Sequence, residues 1–209
     1  MTRRLVAGVD SSTQSTKIEV RDLDTGVVVA KGSAPHPATT PPRSEQNPQA
    51  WWAAFEAAWA ATGSPSVEAI SVAGQQHGMV VLDADREVIR PAKLWNDTES
   101  AADAGWLVEQ LPGGAADWAA AVGSVPVAAF TVTKLSWLHR TEPDNWARLA
   151  HVVLPHDWMT LRLTGDLVTD RGDASGTGYW SPSSGEYRWD ILSIIDNDRD
   201  WSAVVPRVA

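Results

Sequence analysis

Leu5-Val6-Ala7-Gly8-Val9-Asp10-Ser11-Ser12-Thr13-Gln14-Ser15-Thr16-Lys17-Ile18-Glu19-Val20 is the stretch on which the fold turns. Residues 5–10 are short, apolar and bounded by turn formers, and an alternating pattern resumes over 17–20. The reading is strand, hydroxyl-rich turn, strand. Asp24-Thr25-Gly26 supplies another turn and 27–30 a third strand, so the chain opens as an antiparallel meander. Pro35, Pro37, Pro41, Pro42 and Pro48 then forbid regular structure until a helix can begin.

That helix is announced by Asn47, a capping side chain, followed by proline at the first helical position. Trp52, Phe55 and Trp59 recur at i, i+3 and i+7 and predict an aromatic core face, with Gly63 as the stop. Residues 67–73 read as a buried strand, 74–78 as a polar turn, and 79–82 with 87–90 as a hairpin. Helices are expected over 98–111, 115–121, 133–140, 158–163 and 189–195, a strand over 152–154, and a loop of small and hydroxyl residues over 170–178. A three-strand meander followed by alternating helices and strands is an α/β arrangement with a mixed sheet.

Composition bounds the function. The 209 residues, 44% hydrophobic and 21% charged, exclude wholesale disorder. With 26 acidic and 17 basic side chains the net charge of -9 repels phosphate backbones and anionic lipid, so neither nucleic acid nor membrane is expected as a partner. The absence of cysteine rules out disulfides, thiolate zinc sites and a cysteine nucleophile, and is compatible with a cytoplasmic location. The apolar run 5–9 is too short for a signal peptide, and nothing approaches a membrane span. Most of the 12 tryptophans are expected in the core, Trp52, Trp59, Trp106, Trp118, Trp137 and Trp158 among them; Trp95 and Trp180 stand near candidate ligand loops.

No lysine follows a glycine and no Gly-x-Ser occurs, so a P-loop and a hydrolase elbow are both missing. The five histidines have no metalloprotease spacing. Four polar segments remain. Asp10 ends a buried strand and is followed by Ser11, Ser12, Thr13 and, further on, Lys17; backbone N–H groups and hydroxyls in such a turn can cradle phosphoryl oxygens while Asp10 holds hydrated Mg²⁺. The alternative is a hairpin turn whose polar groups satisfy one another. Gln76 and His77, in Gly74-Gln75-Gln76-His77-Gly78, both donate and accept hydrogen bonds and suit an uncharged polyhydroxylated ligand, or else a locally bonded turn. Trp95, Asn96 and Asp97 can offer a sugar an aromatic face and two polar groups, or simply start a helix. Asp170, Asp173, Ser175 and Thr177 form the fourth, with a hydrogen-bonded surface turn as its plainer reading.

Taken in order, these segments resemble the amino-terminal domain of the FGGY carbohydrate kinases, most of all the xylulokinases. The matching stretches are 8–17, Ser44-Glu45-Gln46-Asn47-Pro48 with Trp51-Trp52, 74–78, Leu94-Trp95-Asn96-Asp97, Leu154-Pro155-His156-Asp157 and 170–177, and the likeness covers nearly the whole chain. It implies an actin/hexokinase-like (ribonuclease-H-like) lobe, α/β with a mixed sheet flanked by helices, over residues 1–209. It also implies ATP and Mg²⁺ as cofactors, with Asp10 organising metal and phosphates, and Ser11, Ser12, Thr13 and Lys17 near the nucleotide. Gln76 and His77 would bind the sugar, and Trp95 to Asp97 would line or support that site. The implied reaction is ATP plus D-xylulose giving ADP and D-xylulose 5-phosphate. Other family members act on ribulose, gluconate or glycerol, and a non-catalytic sugar-binding module is a further possibility.

The family's general base is an Asp in a Gly-Asp-Asn segment, which these 209 residues lack. Asp196-Asn197-Asp198 follows Ile194-Ile195 without the glycines and is not accepted as that base. The expectation is therefore a lobe without the base and without the second, adenosine-binding lobe, inactive alone and exposing apolar surface that could favour a homodimer.

Overall fold

The computed structural model describes residues 3–209, which fall into two compact units. The first contains residues up to Ala38 and Asn47–Gln75; the second contains Thr39–Gln46 and Gln76–Ala209.

The first unit is the predicted meander with one more strand and a helix. Strands β1 (Leu5–Ser11), β2 (Ser15–Asp22) and β3 (Val28–Pro35) pair antiparallel, and β5 (Ala69–Gly74) adds parallel to β1, giving the order β3-β2-β1-β5. Between β3 and β5 the chain forms the two-residue strand β4 (Glu45–Gln46) and helix α1 (Pro48–Ala61). Alternation in β1 and β2 sends Ala7, Val9, Ile18 and Val20 inward and leaves Gly8, Asp10 and Lys17 exposed. Helix α1 lies on β2 and β3. It comes so close that a Cβ on Gly32 would stand 1.8 Å from the Ala58 carbonyl oxygen, so only glycine permits this approach. The Asn47 side chain accepts from the Gln49 N–H, as a capping residue before Pro48 should.

Two expectations in this unit need correction. The fully buried face of α1 is Trp51, Ala54, Phe55 and Ala58, at i, i+3, i+4 and i+7; Trp52 and Trp59 flank it, half-buried and stacked on either side of Phe55. Strand β5 is not buried: Ala69, Ile70, Ser71 and Ala73 are exposed. It sits at the edge of the sheet beside β1, while α1 covers β2 and β3.

The second unit is built from β6 (Val80–Leu82), β7 (Ala92–Lys93), α2 (Ala101–Glu109), α3 (Ala115–Val122), α4 (Thr131–Thr141), α5 (Pro143–Arg148), β8 (His151–Val153), α6 (Pro155–Thr164), β9 (Val168–Thr169), α7 (Arg171–Ser175), β10 (Trp180–Ser181), β11 (Glu186–Tyr187), α8 (Trp189–Ile195) and β12 (Arg207–Val208). Its strands pair two by two, β4 with β7, β6 with β8, β10 with β11 and β12 with β9. The core gathers Met79, Val81, Leu107, Trp118, Leu135, Leu138, Tyr179, Ile191 and Leu192. Expected hairpin 79–82/87–90 is reduced to β6, which pairs with β8 instead, and to a single bridge between Leu82 and Val88. The expected loop 170–178 contains α7, capped by the Asp170 carboxylate on the Asp173 N–H. Trp106, placed in the core by its helix, is 44% exposed, whereas Trp180 is buried. Among the described residues no helix is long and apolar enough to cross a membrane.

Candidate sugar and phosphate sites

Asp10 stands on the uncovered face of the first unit's sheet. Its carboxylate is 55% exposed and lies 3.9 Å from the Lys17 ammonium, its cross-strand neighbour. A cleft of about 670 Å³ runs over this face, lined by Gly8, Asp10, Lys17, Ser71 and Ala73, and a Cβ on Gly8 would meet nothing within 4 Å. In the turn that follows, the Ser12 N–H and hydroxyl both donate to the Ser15 carbonyl at 3.1 Å. Ser11 is buried, its carbonyl accepting from the Gln75 N–H, and Thr13 is half-exposed. The plain hairpin reading thus accounts for Ser12, but leaves the Asp10 carboxylate open to solvent. An exposed, hard oxygen donor over an open cleft suits Mg²⁺ that keeps part of its water shell.

Gln76 and His77 belong to the second unit, on the loop before β6. His77 adopts φ 62°, a left-handed conformation that turns the side chains of the loop out of line with a strand. Its Nδ1 lies 2.7 Å from the Gly176 carbonyl oxygen. That oxygen only accepts, so Nδ1 carries the proton and Nε2 remains as an acceptor. Burial holds the His77 imidazole below its usual pKa, against the opposing pull of the Gly176 hydrogen bond, so it is neutral at pH 7. Its ring packs on Phe130 at 4.9 Å. Gln76 is exposed and its side chain faces the Asp173 carboxylate. The segment around α7 therefore holds His77 and flanks Gln76.

Trp95 is 48% exposed, as a stacking platform must be. Asn96 is half-buried. Asp97 is fully buried, and its carboxylate accepts from the N–H groups of Ser44 at 2.9 Å and Glu99 at 3.1 Å and from Lys93 Nζ at 3.0 Å. With these three donors on its carboxylate, Asp97 supports the turn that presents Trp95. Glu45 is likewise engaged, with Arg90 and with Lys93 at 3.2 Å, and Lys93 further contacts Glu99 and the Trp137 ring at 3.9 Å. Glu45, Asp97 and Glu99 lie close enough together to hold a metal, but the Lys93 ammonium already fills their centre. Asp196 accepts from Trp146 Nε1 at 3.1 Å and from Arg199, a structural role consistent with its rejection as a base.

Sequence reasoning missed two charged groups of this unit. Lys134 is buried in α4 and donates to the carbonyls of Ala128 and Ala129, holding the segment that leads to Phe130; burial lowers its pKa to about 7. His156, at the start of α6, points Nδ1 at three carboxylates: Asp157 at 3.2 Å, Asp173 at 3.3 Å and Asp170 at 3.7 Å. Neither was legible as part of a site, because a lysine within an amphipathic helix reads as surface and Asp170 and Asp173 meet His156 only through the packing of α7.

Compared with known proteins, residues 5–209 match the FGGY family of carbohydrate kinases, N-terminal domain. A xylulose kinase of Streptomyces coelicolor is 50% identical over 206 residues, which is 98% of this chain and 42% of that protein. A xylulose kinase of Escherichia coli is 34% identical over 202 residues, 92% of this chain and 40% of that one. The crystal structure of xylulose kinase from Bifidobacterium adolescentis superposes with a TM-score of 0.93 at 40% identity, covering 100% of this chain and 48% of that one. Glycerol kinase from Plasmodium falciparum with ADP, at 18% identity and a TM-score of 0.88 over 99% of this chain and 43% of that one, shares the fold. The chain spans about two fifths of the length of the two Streptomyces xylulose kinases it matches.

Proposed function

The chain belongs to the FGGY family of carbohydrate kinases, with the mixed α/β fold of the actin and hexokinase type, and from that premise we propose that it is the sugar- and phosphate-binding part of an ATP-dependent xylulose kinase. The product would be D-xylulose 5-phosphate. The observation that carries the reading is the state of His77: a neutral imidazole with Nδ1–H spent on Gly176 and Nε2 held as an acceptor, next to an exposed Gln76 amide. That pair suits a ligand rich in hydroxyls and without charge. The relatives supply the choice of ketose.

Gln76 and His77 would take the sugar's hydroxyls, and Trp95 its apolar edge. Asp10 would hold Mg²⁺ through water, and Ser12, Thr13 and Lys17 would meet phosphate oxygens, with buried Ser11 shaping their turn. ATP, when bound, supplies the phosphoryl group. Transfer to a hydroxyl depends on alignment, on charge neutralisation and on a carboxylate that accepts the hydroxyl's proton. The 209 residues contain no Gly-Asp-Asn segment, so this chain by itself is read as binding sugar without turning it over.

Isothermal calorimetry of the chain with D-xylulose, D-ribulose, gluconate and glycerol tests the reading. D-Xylulose is expected to bind in the millimolar range or tighter and ahead of the other three, with no ADP released when ATP and Mg²⁺ are added. Preference for another sugar would replace the ketose assignment, and steady ADP release dependent on xylulose would refute inactivity of the chain alone.

A further inference from the structure

The loop that bears Gln76 and His77 has no regular structure of its own; His77 is tied to the 170–176 segment through the Gly176 carbonyl, and Gln76 faces the Asp173 carboxylate of the same segment. What holds that segment decides how firmly the sugar groups are presented. Its two carboxylates, and Asp157 of α6 beside them, are served unequally. Asp170 caps α7 by accepting from the Asp173 N–H at 2.9 Å, and Asp157 accepts from the Leu154 N–H at 2.8 Å. The Asp173 side chain, 12% exposed, faces the His156 imidazole on one side and the Gln76 amide on the other.

We infer that His156 is a positioning residue for the sugar site: its imidazolium anchors the Asp173 carboxylate, Asp173 in turn fixes the Gln76 amide, and loss of the His156 proton loosens Gln76 and weakens sugar binding. The inference rests on the reading of Gln76 as a sugar ligand. A carboxylate only accepts, so Gln76 gives it an N–H and turns its Oε1 outward, toward a sugar hydroxyl. The groups facing His156 are Asp157 from its own helix and Asp170 and Asp173 from α7 and its cap, with Tyr179 and Tyr187 beyond Asp157. All three near neighbours are acidic. Removing the one positive charge leaves three carboxylates repelling one another in a half-buried space.

Both signs follow from the surroundings. The hydrogen bond to Asp157 and the charges of Asp157, Asp173 and Asp170 hold the His156 pKa above its usual 6.5, so the imidazolium is kept to higher pH than in a free histidine and is lost as pH rises further. Burial pushes Asp173 up to about 6, so the partner charge is lost on the acid side. The pair is complete only between the two.

The test is D-xylulose affinity of the chain by calorimetry from about pH 5.5 to 9, with the imidazole and Gln76 side-chain amide resonances followed by NMR over the same range. Wild-type affinity should fall about threefold or more on the alkaline side, with a midpoint equal to that of His156. His156→Lys, which keeps a cation, should abolish this limb; His156→Gln should weaken binding by roughly tenfold across the range. His77 does not confuse the result, since its lowered pKa puts its own titration on the acid side. Equal affinity of His156→Gln and wild type, or an alkaline loss unchanged in His156→Lys, would overturn the inference. Should the variants fail to fold, the wild-type Gln76 amide resonances must titrate with His156, and resonances indifferent to it overturn the inference equally. An EDTA-induced loss of binding that is present in wild type and absent in His156→Gln would overturn it too, by showing the cluster to be a metal site. A wild type that binds no sugar at any pH defeats the sugar-site reading itself, which is a different result from binding that ignores pH.

Discussion

Gly176 is the residue at which the site is most open to a clean test. A Cβ there would stand 2.6 Å from His77 Cε1 and 2.7 Å from His77 Nδ1. Gly176 has φ -86°, a conformation that alanine adopts freely, and the atoms in the way are the end of a side chain that can swing. Gly176→Ala should therefore leave the fold intact, displace the imidazole and lower D-xylulose affinity by roughly tenfold, the worth of one good hydrogen bond. Unchanged affinity by calorimetry, with unchanged circular dichroism, would remove His77 from the site. The pH dependence of His77 has a definite sign as well. Burial lowers its pKa beneath 6.5, and only the neutral ring offers Nε2 as an acceptor, so affinity should fall in acid with a midpoint below that value. His77→Gln should lose the part of the acid limb that follows the His77 resonances and keep the part that follows Asp173, which titrates at about 6. None of this was legible in residues 74–78 alone: the sequence showed a polar turn with ligand-capable groups, but the proton on Nδ1 is fixed by a carbonyl 99 positions away.

At the scale of elements, the meander was readable because β1 and β2 have one buried and one open face, and strict alternation records that directly. The register of α1 was not, because Trp51-Trp52 puts two large aromatic side chains at consecutive positions and alanines fill the rest. Only the packing of α1 on β2 and β3 orients the helix, and Trp51 is the one that is buried. Strand β5 misled for a related reason: a run of small and apolar residues looks the same whether it is central or at an edge. The contact between α1 and β3 predicts a contrast between two substitutions. Gly32→Ala forces a Cβ to 1.8 Å from the Ala58 carbonyl oxygen, which is backbone and can yield only if the whole helix moves. A loss of about 3 kcal/mol or more is expected in urea denaturation. Asn47→Ala removes a single cap from the same helix and should cost about 1 kcal/mol. Comparable effects from the two would mean that α1 does not depend on this close approach.

At the scale of the whole chain, the notable feature is that the fold is not two consecutive halves. Residues 39–46 leave the first unit, join the second and return. Prolines made this stretch look like a plain loop, yet it is pinned by β4 pairing with β7, by the Leu94 N–H on the Ser44 carbonyl at 2.9 Å, and by the Ser44 N–H on Asp97. The anchor under these bonds is Lys93, fully buried, with its ammonium among Glu45, Asp97 and Glu99 and over the Trp137 ring. Such a cation gains little net stability over an apolar residue in a matching apolar site, but its removal alone leaves Asp97 and Glu99 without the ammonium they share, while Glu45 keeps Arg90. Lys93→Met should therefore destabilise the second unit by about 3–5 kcal/mol. Hydrogen exchange should also quicken at the Ser44 and Leu94 amides. Because Asp97 supports the turn carrying Trp95, the same substitution should weaken D-xylulose binding wherever the chain remains folded, although Lys93 is itself inaccessible to sugar. A Lys93→Met protein with native stability and native exchange at Ser44 would show that the returning segment is held by its backbone pairing alone.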